Sequence, residues 1–401
     1  MSTETTEQTA SPVTVAEAAE ALRSTNGSVL VRGGATKLEW GGRVQRPDLV
    51  LDTTEMRGVL THNPADLTAS VRGGTTLDEL QEHLSAQDQW LALDPPSGRF
   101  GATVGGLLAT GESGPSRLRY GGLRDLVIGV TLVLADGTVA RSGGHVIKNV
   151  AGYDLAKLVY GSLGSLAVIA EVVVRLHPRP QSSHVLGADA DAETATAATA
   201  AVMASPLEPT TLEWSSAPGG GAGGRLHVRL DGTSGSVASA RDRMTALLAG
   251  LGIDAVELTP DDVEQVATAH DTTVAGVDGQ TVLRVSGLPG DLGTLVDAAR
   301  AASAAQGLDL AVVSSAALGL HTLVLTGTGT GTDAHARAVE TVRTAALAQG
   351  ASVLVCRRPA EVDTHLDVLG PPPSTAALLG RVKAAFDPDG RLAPGRFRPW
   401  F

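Results

Sequence analysis

Along residues 13–180, short apolar runs alternate with polar or glycine-bearing turns. "SVLVRGG" (28–34), "DLVLDTTEM" (48–56) and "LTASVRGG" (67–74) concentrate Val, Leu and Thr over strand lengths, and "HNPAD" (62–66) marks a turn. The period then changes. Leu77, Leu80 and Leu84 recur at helical spacing in "TTLDELQEHLSAQ", with Thr75 or Thr76 as cap ahead of an acidic first turn. "LRDLVIGVTLVLADGTVARSGG" (123–144) predicts a hairpin turning at Asp136-Gly137, and "SLAVIAEVVVRLHP" (165–178) a long strand stopped by Pro178. Strands dominate without regular strand–helix–strand winding, so an α+β domain is expected.

Residues 181–360 have another rhythm. A strand at 184–188, an Ala-rich helix at 190–204, strands near 210–215 and 225–230 and a helix at 235–251 come first. "TVLRVSG", a helix at 291–306, "LAVVSS", "HTLVLTG", a helix at 333–348 and "ASVLVC" then repeat that order. Two β-α-β-β-α units predict a duplicated ferredoxin-like second domain. "APGGGAGG" (217–224) reads as a hairpin tip. A tail helix carrying Leu378, Leu379, Val382 and Phe386 stops at Asp387-Pro388, and Gly390 and Gly395 bend a final segment. The expected division is a disordered lead-in at 1–12, a first domain over 13–180, a second over 181–370, and a segment over 371–401 returning to the first.

Composition narrows the function. The 401 residues exceed one ordinary core. A formal net charge of −12 without a basic block argues against nucleic acid as partner. No apolar run reaches membrane-spanning length, and "MSTETTEQTASP" lacks the features of a secretory leader, so a cytoplasmic protein is expected. Cys356 is the single cysteine, which rules out an internal disulfide or a cysteine-held iron–sulfur cluster; within "ASVLVCRRP" it reads as a buried thiol.

Two segments carry the chemistry. "VLVRGGATKLEWGG" (29–42) runs a strand into glycines but fits neither the G-x-G-x-x-G nor the P-loop pattern. "LDPPSGRFGATVGGLLATGESGPSRLRYGG" (93–122) enters through Pro95-Pro96 and then crowds Gly98, Gly101, Gly105, Gly106, Gly111 and Gly114 among Ala102, Thr103, Ala109, Thr110 and Ser113. A packed core needs bulk, and this segment avoids it. Missing Cβ atoms let backbone N–H groups converge on an anion, to which Thr103 and Ser113 add hydroxyls. A diphosphate needs many such donors.

With these segments, "PADLTASVRGGTTLDELQEHL", "GGHVIKNVAGYDLAKLVYGSLGSLAVIAEVVVRLHP" and "FDPDGRLAPGR", the chain resembles FAD-binding domains of the vanillyl-alcohol-oxidase and p-cresol-methylhydroxylase (VAO/PCMH) type. The likeness covers roughly 13–180 and 386–396. Within that family it looks most like the smaller FAD-binding subunit of bacterial glycolate oxidase. The resemblance implies a PCMH-type, two-subdomain, nucleotide-binding flavoprotein fold. Gly33, Gly34, Ala35 and Thr36 match the loop that wraps the FAD diphosphate, and Pro95, Gly101 and Thr103 match contacts along the dinucleotide. Gly105, Gly106, Ala109, Gly111, Ser113 and Gly114 match the second wrapping segment; Gly164, Val168 and Ile169 match the turn and strand beside the adenosine. Where covalent relatives carry a linking His, this chain has Thr36, so non-covalent FAD is expected. Where relatives carry Asn before Pro-Gly, it has Ala393.

The resemblance further implies an oxidoreductase of glycolate catabolism, an FAD-binding glycolate oxidase subunit that passes electrons to a partner. Expected partners are a larger FAD-containing catalytic subunit and an iron–sulfur subunit, with any membrane association through them. The alternative is a self-sufficient FAD oxidoreductase of a small hydroxy acid or alcohol. Such an oxidation needs a cationic clamp for the carboxylate and a base for the hydroxyl. His184, His227, His270, His321, His335 and His365 are scattered without H-x-x-H spacing, so each reads as a surface or packing residue and no metal is expected. Arg357-Arg358 reads as a solvated strand end, and His145 and Lys148 as weak candidates for contact with flavin or a partner chain. No catalytic residue is assigned.

Overall fold

The computed structural model describes residues 8–44, 46–146, 152–219, 223–327 and 331–401; Lys148 lies outside the described residues. The chain forms two compact units, one of Met1–Gly114, Gly121–Arg179 and Pro371–Phe401, the other of Pro115–Tyr120 and Pro180–Gly370. Residues 115–120 therefore group with the second unit rather than the first, because the short helix Arg117–Tyr120 packs there and Arg119 donates to Glu208 O at 3.0 Å.

In the first unit, β1 (Gln8–Ala10), β2 (Val29–Arg32) and β3 (Leu49–Asp52) form a parallel sheet in the order β1-β3-β2. Two expectations change here. Residues 8–10 are paired rather than disordered, and a parallel sheet with α1 (Val15–Arg23) beside it was hidden among runs too short to show winding. β4 (Val59–Asn63), β5 (Thr68–Arg72), β7 (Val127–Val133), β8 (Val139–Gly143) and β9 (Val168–Arg175) form an antiparallel sheet in the order β4-β5-β9-β7-β8. The two-residue strands β6 (Gln89–Trp90) and β10 (His177–Pro178) pair separately. The β7–β8 turn falls at Asp136-Gly137: Gly137 has φ +80°, and the Asp136 carboxylate accepts from the Thr138 amide at 2.8 Å.

The helix α2 (Leu77–Ser85) begins with a capping box in which Thr76 and Glu79 satisfy each other's amides, and it buries Leu77, Leu80 and Leu84. These leucines join Leu107, Leu108, Val172 and Val174 in the main core. A smaller core sets Leu22 and Met56 against Val168 and Ala170. β9 thus supplies side chains to two cores, which explains its nearly continuous apolar run.

In the second unit, β11 (Ser182–Asp189), β12 (Thr211–Ser216), β13 (Arg225–Gly232), β14 (Val256–Glu257), β15 (Thr281–Ser286), β16 (Asp309–Ser315), β17 (Leu320–Thr326) and β18 (Ser352–Arg357) form one sheet. Its order, β14-β11-β13-β12-β16-β17-β15-β18, consists of two ferredoxin-like four-strand sets joined edge to edge through β12 and β16. The first β-α-β-β-α unit gains a fourth strand, β14, that the periodicity did not resolve, whereas the fourth strand of the second, β18, is the "ASVLVC" run of the sequence. The helix Pro260–Ala275, also missed, has no buried residue and so offers no apolar stripe to detect.

Candidate functional site

The strand β2 delivers Gly33, Gly34, Ala35 and Thr36 to the lining of an open cleft. The facing wall is α3 (Val104–Thr110), whose N-cap Thr103 accepts a hydrogen bond from the Gly106 amide. Thr103, Gly105, Gly106 and Ala109 line the cleft, as do Gly164 and Ile169. The structure therefore brings ten of the sixteen expected site residues around one space.

Close approach explains the glycines. A Cβ on Gly34 would stand 2.0 Å from the Gly101 carbonyl oxygen, and one on Gly33 would stand 2.3 Å from Thr103 Oγ1. Gly34 meets the backbone of the second glycine segment, and Gly33 its Thr103 side chain, only because these positions are bare. Gly106 differs: its Cβ would meet only Thr103 Oγ1, at 3.0 Å. Ala35 holds φ +56° and Leu163, another lining residue, +50°, left-handed conformations uncommon outside glycine.

The remaining six expected residues do not line the cleft. Val168 is fully buried in the smaller core, so its side chain is packing. Gly111 ends α3 in a left-handed turn beneath the Tyr160 ring, and Gly114 is bare because a Cβ would lie 1.7 Å from Asp94 O. Gly101 closes the short helix Pro96–Phe100, which Pro95 precedes, and its carbonyl limits Gly34. Ser113 Oγ is buried with no hydrogen-bond partner among the described residues. These residues shape the segment behind the wall.

Several lining residues were not anticipated. Lys37 Nζ lies 2.8 Å from Glu112 Oε2 and 3.1 Å from Thr36 Oγ1 and also bonds Ser97 Oγ, which in turn donates to Glu112. The Lys37 and Glu112 side chains are only 6% and 8% exposed, a buried ion pair whose lysine lines the cleft and whose carboxylate lies behind it. Arg396, from the tail, donates through one nitrogen to the carbonyls of Leu38, Trp40 and Gly42 at 2.7, 2.9 and 3.0 Å. The Lys after Thr36 and the Arg after Pro394-Gly395 stood in the quoted motifs, but their partners are distant in sequence.

These features suit a dinucleotide. Gly106 and Gly164 leave open space at the cleft where side chains would stand, and the backbone of the turn that leaves β2 faces the same space and suits a diphosphate.

In the second unit, His270 Nε2 lies 3.2 Å from Glu213 Oε2 and its Nδ1 2.9 Å from Asp271 Oδ1, while Ser315 Oγ donates to Glu213 Oε1 at 2.7 Å. Burial first, then the charges of Arg225 and His270, push the neighbouring His227 imidazole down to about 4. Residues scattered over a hundred positions thus form one acid–base cluster, which sequence spacing could not show. His321 bonds Ser314 Oγ and is pushed by burial to about 4; His335 bonds Thr281 Oγ1 at 2.9 Å. His184 pairs with Glu257, and His365 is exposed. In the first unit His145 contacts Thr68 Oγ1 at 3.1 Å rather than the cleft. Arg357 reaches Asp278 at 3.0 Å, but Arg358 corrects the solvated strand end: it is 3% exposed and paired with Asp363. Cys356 is buried. Among the described residues no group of three or more His, Cys, Asp or Glu could hold a metal, and no helix is long and apolar enough to cross a membrane.

Comparison with known proteins agrees with this geometry. Residues 7–143 match the family described as FAD binding domain. Glycolate oxidase subunit GlcE of Escherichia coli is 35% identical over 192 residues, 48% of this chain and 53% of that protein. D-lactate dehydrogenase of Archaeoglobus fulgidus is 38% identical over 158 residues, 39% of this chain and 35% of its own length. The chain thus spans about half or less of these curated relatives. The crystal structure of p-cresol methylhydroxylase with substrate bound superposes with a TM-score of 0.73 at 17% identity, covering 97% of this chain and 88% of that one. At that identity the likeness speaks for the fold alone. Residues 7–143 thus match the FAD binding domain family, and the chain shares its fold with p-cresol methylhydroxylase.

Proposed function

We propose that this chain is an FAD-dependent oxidoreductase of small 2-hydroxy acids, acting as the FAD-binding subunit of a glycolate oxidase. The observation that carries the reading is the glycine-walled cleft. Its relatives by name act on glycolate or D-lactate, both 2-hydroxy acids. Bound FAD supplies the two-electron acceptor for converting such an acid to a 2-oxo acid. The residues of this chain hold and orient it: Gly33–Thr36 on one side, Thr103, Gly105, Gly106 and Ala109 on the other, with Gly164 and Ile169 beside them. Thr36 offers no imidazole for a covalent link, so FAD is held non-covalently. A larger FAD-containing catalytic subunit and an iron–sulfur subunit complete the assembly in this reading.

The self-sufficient reading draws support from the Glu213–His270 pair, an acid–base couple on the second unit. Purification followed by heat or acid treatment tests the cofactor: a yellow flavin migrating as FAD should leave the chain, and a colourless protein that refuses added FAD refutes the proposal. Steady-state assays of the single chain against a panel of 2-hydroxy acids, with an artificial electron acceptor, separate the two readings. Turnover far below the ordinary enzyme range of about 1–10 per second supports the subunit; turnover within it favours self-sufficiency.

A further inference from the structure

Burying a lysine and a carboxylate costs desolvation that their mutual attraction does not reliably return, so such a pair calls for a role beyond stability. Lys37 and Glu112 sit on different glycine segments. Lys37 belongs to the turn that leaves β2, and Glu112 follows Gly111 at the end of α3. Ser97, hydrogen-bonded to both, comes from the short helix Pro96–Phe100. The lysine has three N–H donors, and Thr36 Oγ1, Ser97 Oγ and Glu112 Oε2 lie within bonding distance of them. A lysine so engaged is poorly placed to neutralise a phosphate without releasing a partner.

Arg396 behaves alike, its guanidinium holding three carbonyls of the same turn. Both cations lining the cleft are spent on the position of the turn. The anion is then left to the backbone donors whose spacing they set.

We propose that Lys37, Ser97 and Glu112 form a clasp between the two glycine segments, a positioning device that holds the cleft walls at the separation FAD binding requires. The proposal rests on the FAD reading above. Its test uses the full chain, stripped of flavin, with FAD titrated in by fluorescence quenching and the apoprotein Tm measured alongside. The variants are Lys37→Met, Glu112→Leu and the double variant. An apolar pair of similar bulk commonly restores stability lost with one partner of a buried ion pair. The clasp therefore predicts that each single variant binds FAD at least about tenfold more weakly, and that the double variant regains the Tm but not the affinity. Should a single variant fail to fold, the double variant decides alone. Glu112→Leu binding within about twofold of the parent would overturn the proposal by making Lys37 a direct ligand. Affinity restored together with Tm in the double variant would overturn it by reducing the pair to a folding element. A parent chain that takes up no FAD would refute the cofactor reading instead.

Discussion

Gly34 and Gly106 separate two demands that a glycine can meet. At Gly34 a methyl group would meet the Gly101 carbonyl at 2.0 Å, so Gly34→Ala must push the two segments apart. It should cost about 1–3 kcal/mol of stability and weaken FAD binding with it. At Gly106 the fold leaves room apart from the Thr103 hydroxyl, and the residue lines the cleft. Gly106→Val should therefore cost about 1 kcal/mol, the scale of a disturbed cap, while FAD affinity falls at least tenfold. Thermal melts of the apoproteins, paired with FAD titrations, check both. Normal binding by Gly106→Val would make the second segment structural only.

At the scale of elements, the tail does its work through two arginines. Arg391 donates to the carbonyls of Gly27, Ala135 and Leu22 at 3.2, 2.7 and 3.0 Å and also to Thr25. It pins the tail beside Val29, whose amide bonds Arg391 O at 2.8 Å. Arg391 is not among the cleft-lining residues; Arg396 is. Arg391→Met should lower stability by about 3 kcal/mol, from several charged hydrogen bonds, and leave the FAD affinity of the folded protein within about twofold. Arg396→Leu should release the turn at Leu38–Gly42 and weaken FAD at least about tenfold. Equal effects of both variants on FAD affinity would count against this division of labour.

For the molecule as a whole, two buried histidines of the second unit tie stability to pH. His227 and His321 are 9% and 1% exposed and are held neutral down to about 4, against 6.5 for a free imidazole. Their folded values are lowered, so the unfolded chain takes up protons first as pH falls. Stability is intact above about 6.5 and declines towards about 4, by up to roughly 3 kcal/mol per residue. Chemical denaturation followed by circular dichroism across that range should show the decline, and His227→Asn or His321→Gln should each flatten the slope. A profile unchanged by either substitution would show that other groups govern acid stability.

The order of apolar runs and turns was enough to determine most of the longer strands, the α2 cap to within a residue, the Asp136-Gly137 turn and the duplicated second unit, because these follow from neighbours in the chain: periodicity, caps and turn residues. The glycines were likewise legible as places where backbone comes close, since no other residue tolerates it. What approaches them was decided only by tertiary structure. Whether Gly34 clears Gly101, or Gly114 clears Asp94, depends on segments that the fold brings together. Val168 and Ile169 are adjacent and equally apolar, yet Val168 packs in the smaller core while Ile169 joins the main core and lines the cleft, and the alternation of faces along β9 makes the difference. The Lys37–Glu112 pair, the Arg396 contacts and the Glu213–His270 cluster were invisible for the same reason. A charge announces itself in sequence, but its partner is chosen by packing, and the cost of burial makes the partner, rather than the charge, the thing that matters.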